Sequence, residues 1–290
     1  MSSMQRVDSR AFAAALLASM LVGCSAPASA PRGASTVTTW PAWGGAPGGA
    51  HYSAATQITP ANVSELELAW EHRSGDIRMS GEEGPDGSPL PPSGFQATPI
   101  VVDDTLYYCS SFNKVFALDA ETGQEKWRFD PEVDKYGAIL PNCRGVSSWR
   151  SGREGVCEHR ILVGTLDARL IAVDARTGRR CEDFGDGGEV DVTHRISKHL
   201  PIEYSITSPP AILHDKAITG SLVLDNTRTD APSGVVRAYD VRSGEKLWGW
   251  DPVAPGTPPT IDEHGNETYA RGTTNSWSTL AADAELGLVY

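Results

Sequence analysis

The amino-acid sequence predicts an all-β chain built from repeated four-stranded units, a β-propeller, and three observations lead there. The first is a repeat: ALDAETGQEKW, Ala117 to Trp127, returns in the same grammar as AVDARTGRRCEDF, Ala172 to Phe184, and AYDVRSGEKLWGW, Ala238 to Trp250. The shared frame is Ala-x-Asp-x-x-Thr/Ser-Gly, followed about four residues on by an aromatic. Asp can hydrogen-bond the turn backbone and Gly can take positive φ, so each copy reads as a hairpin. The second is spacing: Gly123, Gly178 and Gly244 stand 55 and 66 residues apart, close to the period of a propeller blade though rather longer. The third is the set of short apolar runs that precede each copy.

Composition agrees with a turn-rich globular chain. The 290 residues include 29 Gly and 20 Pro and carry a formal charge of −12. That acidic balance argues against nucleic acid, which calls for a basic stripe. After the first 25 residues no apolar run is long enough to span a bilayer.

The elements follow in chain order. Arg6 and Arg10 with the apolar stretch Ala11 to Leu21 read as an export signal over residues 1–23. Its end, Leu21-Val22-Gly23-Cys24, resembles the bacterial lipobox, which implies acylation of Cys24 and membrane residence. Residues 24–38 read as a flexible tether, and 39–290 as a partial propeller. Leu66 to Trp70 alternates like a strand and looks like the closing half of a repeat. The first blade is expected from Ala97 to Val102, Thr105 to Cys109, Val115 to Asp119 and the first hairpin. The second takes Arg160 to Val163, Arg169 to Val173 and its hairpin. The third takes Ala211 to Leu213, Ala217 to Ser221, Val235 to Tyr239 and its hairpin. A fourth begins near Trp277 and reaches Tyr290. In an exported compartment disulfides persist. Cys143 and Cys157 flank a short polar excursion and are the expected bridge, with Cys109 and Cys181 as buried thiols. A propeller must close to protect its edge strands, which three blades with fragments cannot do, so the chain reads as the N-terminal part of a longer one.

With the repeat in place, several stretches resemble the pyrroloquinoline quinone (PQQ)-dependent dehydrogenases, in particular the membrane glucose and quinate dehydrogenase branch. They are Thr98-Pro with Asp104-Thr-Leu-Tyr-Tyr, Cys143-Arg-Gly-Val-Ser147, Thr207-Ser-Pro-Pro210, Gly220-Ser with Asp225-Asn226, Ser233-Gly-Val-Val-Arg-Ala-Tyr-Asp240 and Asn275-Ser-Trp277. The resemblance implies an eight-bladed ring when complete and a planar orthoquinone with three carboxylates as cofactor. It implies that Arg144 contacts this cofactor, as suits a guanidinium facing planar acceptors. Thr207 and Ser221 would be hydroxyl donors and Trp277 the aromatic floor. Asp225 and Asn226 would be oxygen ligands to Ca²⁺ or Mg²⁺. Gln96 stands where relatives often carry Glu against the cofactor.

The implied function is oxidation of a sugar or polyol-type alcohol, with hydride passing to the quinone and electrons onward to a membrane quinone or a cytochrome. The family's catalytic Asp and a cofactor-binding Lys belong to segments that would follow Tyr290. The 290-residue polypeptide is therefore expected to reduce no dye, even with PQQ and Ca²⁺. The stretch Ile139-Leu-Pro-Asn142 lacks the His that glucose dehydrogenases place there, leaving quinate or shikimate open as substrate. The alternative outside enzymes is a propeller lipoprotein scaffold of outer-membrane assembly, which shares the lipobox and the hairpin repeat.

Overall fold

The first predicted unit folds as a four-stranded antiparallel sheet, β1 (Ile100–Val102), β2 (Thr105–Cys109), β3 (Val115–Asp119) and β4 (Glu125–Phe129), each strand pairing with the next. The coordinates are a computed structural model, which describes residues 39–137, 140–194, 196, 199–200 and 203–290. The export signal, Cys24 and the tether expected over 1–38 lie outside the described residues. A second sheet follows in the same order, β5 (Ser147–Arg150), β6 (His159–Gly164), β7 (Arg169–Asp174) and β8 (Glu189–Asp191).

Next come β9 (Tyr204–Ser205), β10 (Ala211–Leu213), β11 (Lys216–Thr219), β12 (Leu222–Val223), β13 (Val236–Asp240) and β14 (Lys246–Trp250). Here β10, β11, β13 and β14 form the third four-stranded sheet, and β9 pairs with β12 beside it. The short hairpins β15 (Thr260–Ile261) with β16 (Glu267–Thr268), and β17 (Ala282–Asp283) with β18 (Leu288–Val289), complete the chain. These are three blades of a β-propeller and the opening strands of a fourth. Among the described residues no helix is long and apolar enough to cross a membrane.

The repeat forms the turns it encodes. Asp119 Oδ1 accepts from the N–H of Glu121 and Thr122 and from Thr122 Oγ1, while Gly123 N–H reaches Asp119 O at 2.8 Å. Asp174 with Thr177 and Gly178, and Asp240 with Ser243 and Gly244, repeat the arrangement. The glycine has a second duty. A Cβ on Gly178 would lie 2.6 Å from the Trp127 ring, and one on Gly123 2.4 Å from Trp70. Trp70 and Trp127 thus sit against the turns of the first and second blades, with Trp127 Nε1 donating to Ala175 O at 3.0 Å, whereas Gly244 of the third packs against Gly185 and Val190. Blade faces pair in the same sense. Tyr107, Val115 and Ala117 meet Ile161, Val163 and Ile171 in one buried cluster, and Leu162, Leu170 and Ala172 meet Ala217, Val235 and Tyr239 in another.

Three expectations are corrected. The disulfides are Cys109–Cys143 and Cys157–Cys181, so Cys143 does not bridge Cys157, and neither Cys109 nor Cys181 is a free thiol. Proximity along the chain misled because Cys143 precedes an inner strand beside the end of β2, whereas Cys157 sits at the hairpin corner with Cys181. The strand expected at Leu66 to Trp70 makes no ladder with any described residue, and Leu66 and Leu68 are exposed; Trp70 alone docks, on Gly123. In the second unit the outer strand is β8, not the stretch directly after Gly178. There Cys181 is drawn inward by its bridge and Phe184 is fully buried, leaving one isolated contact, Val173 with Arg180.

At the seam of the first two blades, His159 Nδ1 faces Arg150 Nη2 at 3.0 Å and Nε2 faces Ser148 Oγ at 2.8 Å. Arginine cannot accept, so Nδ1 is the acceptor and Nε2 carries the proton. Burial, with the Arg150 charge beside it, pushes the imidazole from 6.5 down to about 4. A folded value below the unfolded one means that protonation favours the unfolded chain. Stability is intact above pH 6.5 and falls as pH drops toward 4. Discounted for partial solvent screening, the loss is about 1–2 kcal/mol. Urea midpoints of the native chain are expected to decline across this window more steeply than those of His159→Gln, in which only carboxylates such as Glu189, Glu203 and Glu267 contribute. An equal slope in the variant would show that His159 is not the group responsible.

Candidate functional site

The cleft is made where successive blades begin. Thr98 lies just before β1, Arg144 just before β5, Thr207 just before β10 and Trp277 ahead of β17, so equivalent places in four units are brought to one locus. Backbone and hydroxyl hydrogen bonds tie them in series. Thr98 N–H donates to Arg144 O at 2.9 Å and Arg144 N–H to Thr207 O at 2.9 Å. Thr207 Oγ1 donates to Trp277 O at 3.1 Å, and Ser208 Oγ to the same oxygen at 2.7 Å.

Around this series lies a cleft of about 510 Å³, walled by Asn142, Arg144, Asp225, Thr274, Asn275 and Trp277 among others. That volume is of the size small-molecule sites take. The Arg144 guanidinium stands 4.7 Å from the Trp277 ring centroid. Its other contacts are long, 3.4 Å to Asn142 Oδ1 and 3.5 Å to Thr207 O, and among the described residues no carboxylate pairs with it. Burial lowers its pKa; a guanidinium partly removed from water and left unpaired is stabilised by an incoming anion. Asn275 donates from Nδ2 to Thr273 O at 2.6 Å, while its Oδ1 is buried without a partner.

Asp225 is carried to the cleft by β12, which pairs with β9 through Leu222 opposite Ser205 and Val223 opposite Tyr204. Beyond it, Arg228 grips the buried Glu203 with both Nε and Nη2, at 2.6 and 2.7 Å. The bidentate fork holds the end of the loop. Glu203 is correspondingly held below the usual carboxylate range, chiefly by that hydrogen bond.

Of the residues singled out in the sequence, the structure brings Arg144, Trp277 and Asp225 to the cleft wall. Thr207 is buried and its hydroxyl is spent on Trp277 O, so it acts on the site by holding the tryptophan. Ser221 is buried just behind the wall, its Oγ without a hydrogen-bond partner. Asn226 follows Asp225 in a left-handed turn, φ 58°, and is exposed outside the lining residues. Gln96 is likewise exposed and outside the lining. Asn142 and Asn275 also line the cleft, and their only signal in the sequence is adjacency to Cys143-Arg144 and to Ser276-Trp277.

The cleft suits a planar polyanion through a planar cationic fork, an aromatic face and the Ser221 hydroxyl nearby, while the orphaned Asn275 Oδ1 is an acceptor that would take a donor or a cation. For a hard divalent cation the cleft offers one carboxylate, Asp225, fewer than such an ion normally takes, so Asp225 fits as one member of a ligand set. The only acid–thiol group close enough for a metal among the described residues is Cys157, Cys181 and Asp183, and its sulfurs are joined to each other.

Fold and cleft together define a β-propeller with a cleft of ligand size where successive blades begin. Comparison with known proteins gives the family. Residues 40–290 match the family described as PQQ, glucose/ethanol/alcohol dehydrogenase, beta-propeller domain, and the chain belongs to it. It is 40% identical over 258 residues to the glycerol dehydrogenase large subunit of Gluconobacter oxydans, covering 87% of this chain and 33% of that protein. With the quinoprotein glucose dehydrogenase of Escherichia coli it shares 38% over 261 residues, 87% of this chain and 31% of the relative. Among solved structures, a quinohemoprotein alcohol dehydrogenase of Pseudomonas putida HK5 superposes with a TM-score of 0.61 at 28% identity, over 87% of this chain and 34% of that one. The chain thus spans about a third of the length of the relatives it matches.

Proposed function

We propose that this chain is the cofactor-cradling, N-terminal portion of a PQQ-dependent dehydrogenase that oxidises a sugar or polyol-type alcohol and passes electrons to a membrane quinone or a cytochrome. Family membership supports the oxidoreductase class, and relatives named for glycerol and for glucose support hydroxyl-rich substrates. The observation that carries the reading is the unpaired, half-buried Arg144 set against Trp277 in a cleft of ligand size.

In this reading PQQ, when bound, supplies the hydride acceptor. Arg144 draws a cofactor carboxylate or carbonyl by charge and by its planar fork. Trp277 offers ring area for stacking, and Thr207 and Ser208 hold that residue by its backbone carbonyl. Ser221 and Asn275 supply a hydroxyl and an amide close by. Asp225, with Asn226 beside it, would contribute to holding Ca²⁺ or Mg²⁺. Export and lipid anchoring at Cys24 belong to the same proposal, supported by Arg6, Arg10 and the lipobox.

The test is equilibrium titration of the full chain with PQQ in the presence of Ca²⁺, followed by tryptophan fluorescence. Saturable quenching is expected. Its absence would overturn the cofactor reading and favour a propeller without redox function.

A further inference from the structure

We propose that the Cys109–Cys143 disulfide is a positioning element of the cofactor cleft, holding Arg144 against Trp277. The inference rests on the cofactor reading above for its binding arm, and on geometry alone for its second arm.

Arg144 has little of its own to keep it in place. Its side-chain hydrogen bonds to Asn142 and Thr207, at 3.4 and 3.5 Å, are at the limit of useful length, and among the described residues no ion pair secures it. Its position is set through the backbone, by the bonds to Thr98 and Thr207, and by the covalent tie one residue upstream. Cys109 closes β2 in the interior of the first blade and is wholly buried, as is its partner Cys143. The bridge therefore fastens the lead-in of the second blade to the body of the first, at the residue next to the cleft arginine. Gly145 on the other side is equally confined, since a Cβ there would lie 3.2 Å from Thr98 O. The peptide carrying Arg144 is held at both flanks, and the bridge is the stronger hold.

The second disulfide is a built-in control. Cys157–Cys181 is also buried, and it closes 24 residues against 34 for Cys109–Cys143, so the two constrain the unfolded chain similarly. Its surroundings are those of the blade corner: Cys157 N–H donates to Asp174 Oδ2 at 2.7 Å and Arg160 Nε to Cys157 O at 2.8 Å. Neither cysteine adjoins a lining residue in the chain, whereas Cys143 stands between Asn142 and Arg144, both in the cleft wall.

The experiment compares Cys109→Ala/Cys143→Ala with Cys157→Ala/Cys181→Ala in the full chain, each alone and combined with Arg144→Ala. Both pairs are expected to lower the melting temperature to a similar degree. Only loss of Cys109–Cys143 is expected to weaken PQQ binding, by roughly tenfold, the scale of one charge-assisted contact. In the Arg144→Ala background the same loss is expected to cost less than about twofold, because coupled residues are non-additive. Equal weakening from both disulfides, unchanged binding, or full additivity with Arg144→Ala would overturn the proposal.

The second arm needs no cofactor. Phenylglyoxal is expected to modify Arg144, mapped by mass spectrometry, several-fold faster when Cys109–Cys143 is absent than when Cys157–Cys181 is, as a half-buried group becomes free. An unchanged rate at Arg144 overturns the proposal even if PQQ fails to bind the native chain, a result that would by itself defeat only the cofactor reading. Should the alanine pairs fail to fold, partial reduction of the native chain, followed by alkylation and sorting of the products by which cysteine pair is blocked, gives the same comparison of Arg144 modification rates.

Discussion

Replacing Arg144 with alanine is expected to raise the dissociation constant for PQQ by roughly 10- to 100-fold, the 1.4–2.8 kcal/mol that hydrogen bonds to a charged group carry. The effect should appear without a matching loss of stability. Arg144 makes no ion pair among the described residues, and its hydrogen bonds in the free chain are long, so the urea midpoint should move by less than about 0.5 kcal/mol equivalent. Arg144→Lys is expected to recover only part of the affinity, because an ammonium keeps the charge but not the planar fork. Fluorescence titration of the three proteins checks this. Affinity in Arg144→Ala equal to that of the native chain would mean that the cleft at Trp277 is not where PQQ binds.

The largest effect on stability is expected from Gly220→Ala. A Cβ at Gly220 would lie 1.9 Å from Ser276 O and 2.9 Å from Ser276 C, both backbone atoms. Since backbone cannot rotate aside as a side chain does, the segment bearing Asn275, Ser276 and Trp277 must lift from the third blade, at a cost of about 2–3 kcal/mol. Gly234 touches the same segment in the same way, its Cβ position 2.2 Å from Thr274 O. Lifting it also displaces the indole, so PQQ affinity should fall together with the urea midpoint. Gly48→Ala, which meets nothing within 4 Å, is the matched control and should change neither by more than about 0.5 kcal/mol. A Gly220→Ala chain as stable as the native one would show that the segment does not rest on the third blade.

The blades were legible because their signals are local. β2 and β3 fall at Thr105–Cys109 and Val115–Asp119, and β10 at Ala211–Leu213, as the apolar runs predict. The hairpins follow from Asp, Thr or Ser, and Gly at fixed offsets, whose hydrogen bonds close within five residues. The limits of this are visible at Leu66 to Trp70 and after Gly178. Alternation describes a chain willing to be extended, but a strand exists only where a neighbouring strand supplies the ladder. In the second unit a disulfide and a buried Phe184 outweigh the repeat.

The cleft was legible only in part. Arg144, Trp277 and Asp225 stand out through motifs, and the structure gathers all three. It keeps Gln96 and Asn226 off the cleft wall, and it spends the Thr207 hydroxyl on Trp277 O. No pattern along the chain states that a hydroxyl donor is already occupied, since its acceptor lies 70 residues away.

Two kinds of information separate here. The order of the blades, their turn chemistry and the glycines on which Trp70 and Trp127 rest are written in short-range pattern, because a hairpin is closed by residues that are neighbours in the chain. The disulfide pairing, the convergence of Thr98, Arg144, Thr207 and Trp277, and the need for Gly220 beneath Ser276 are decided by tertiary structure. Apart from the Cys157–Cys181 bridge, which closes 24 residues within the second blade, these depend on how one blade sets down beside the next, over separations such as 34 residues for Cys109–Cys143 and 70 for Thr207 and Trp277.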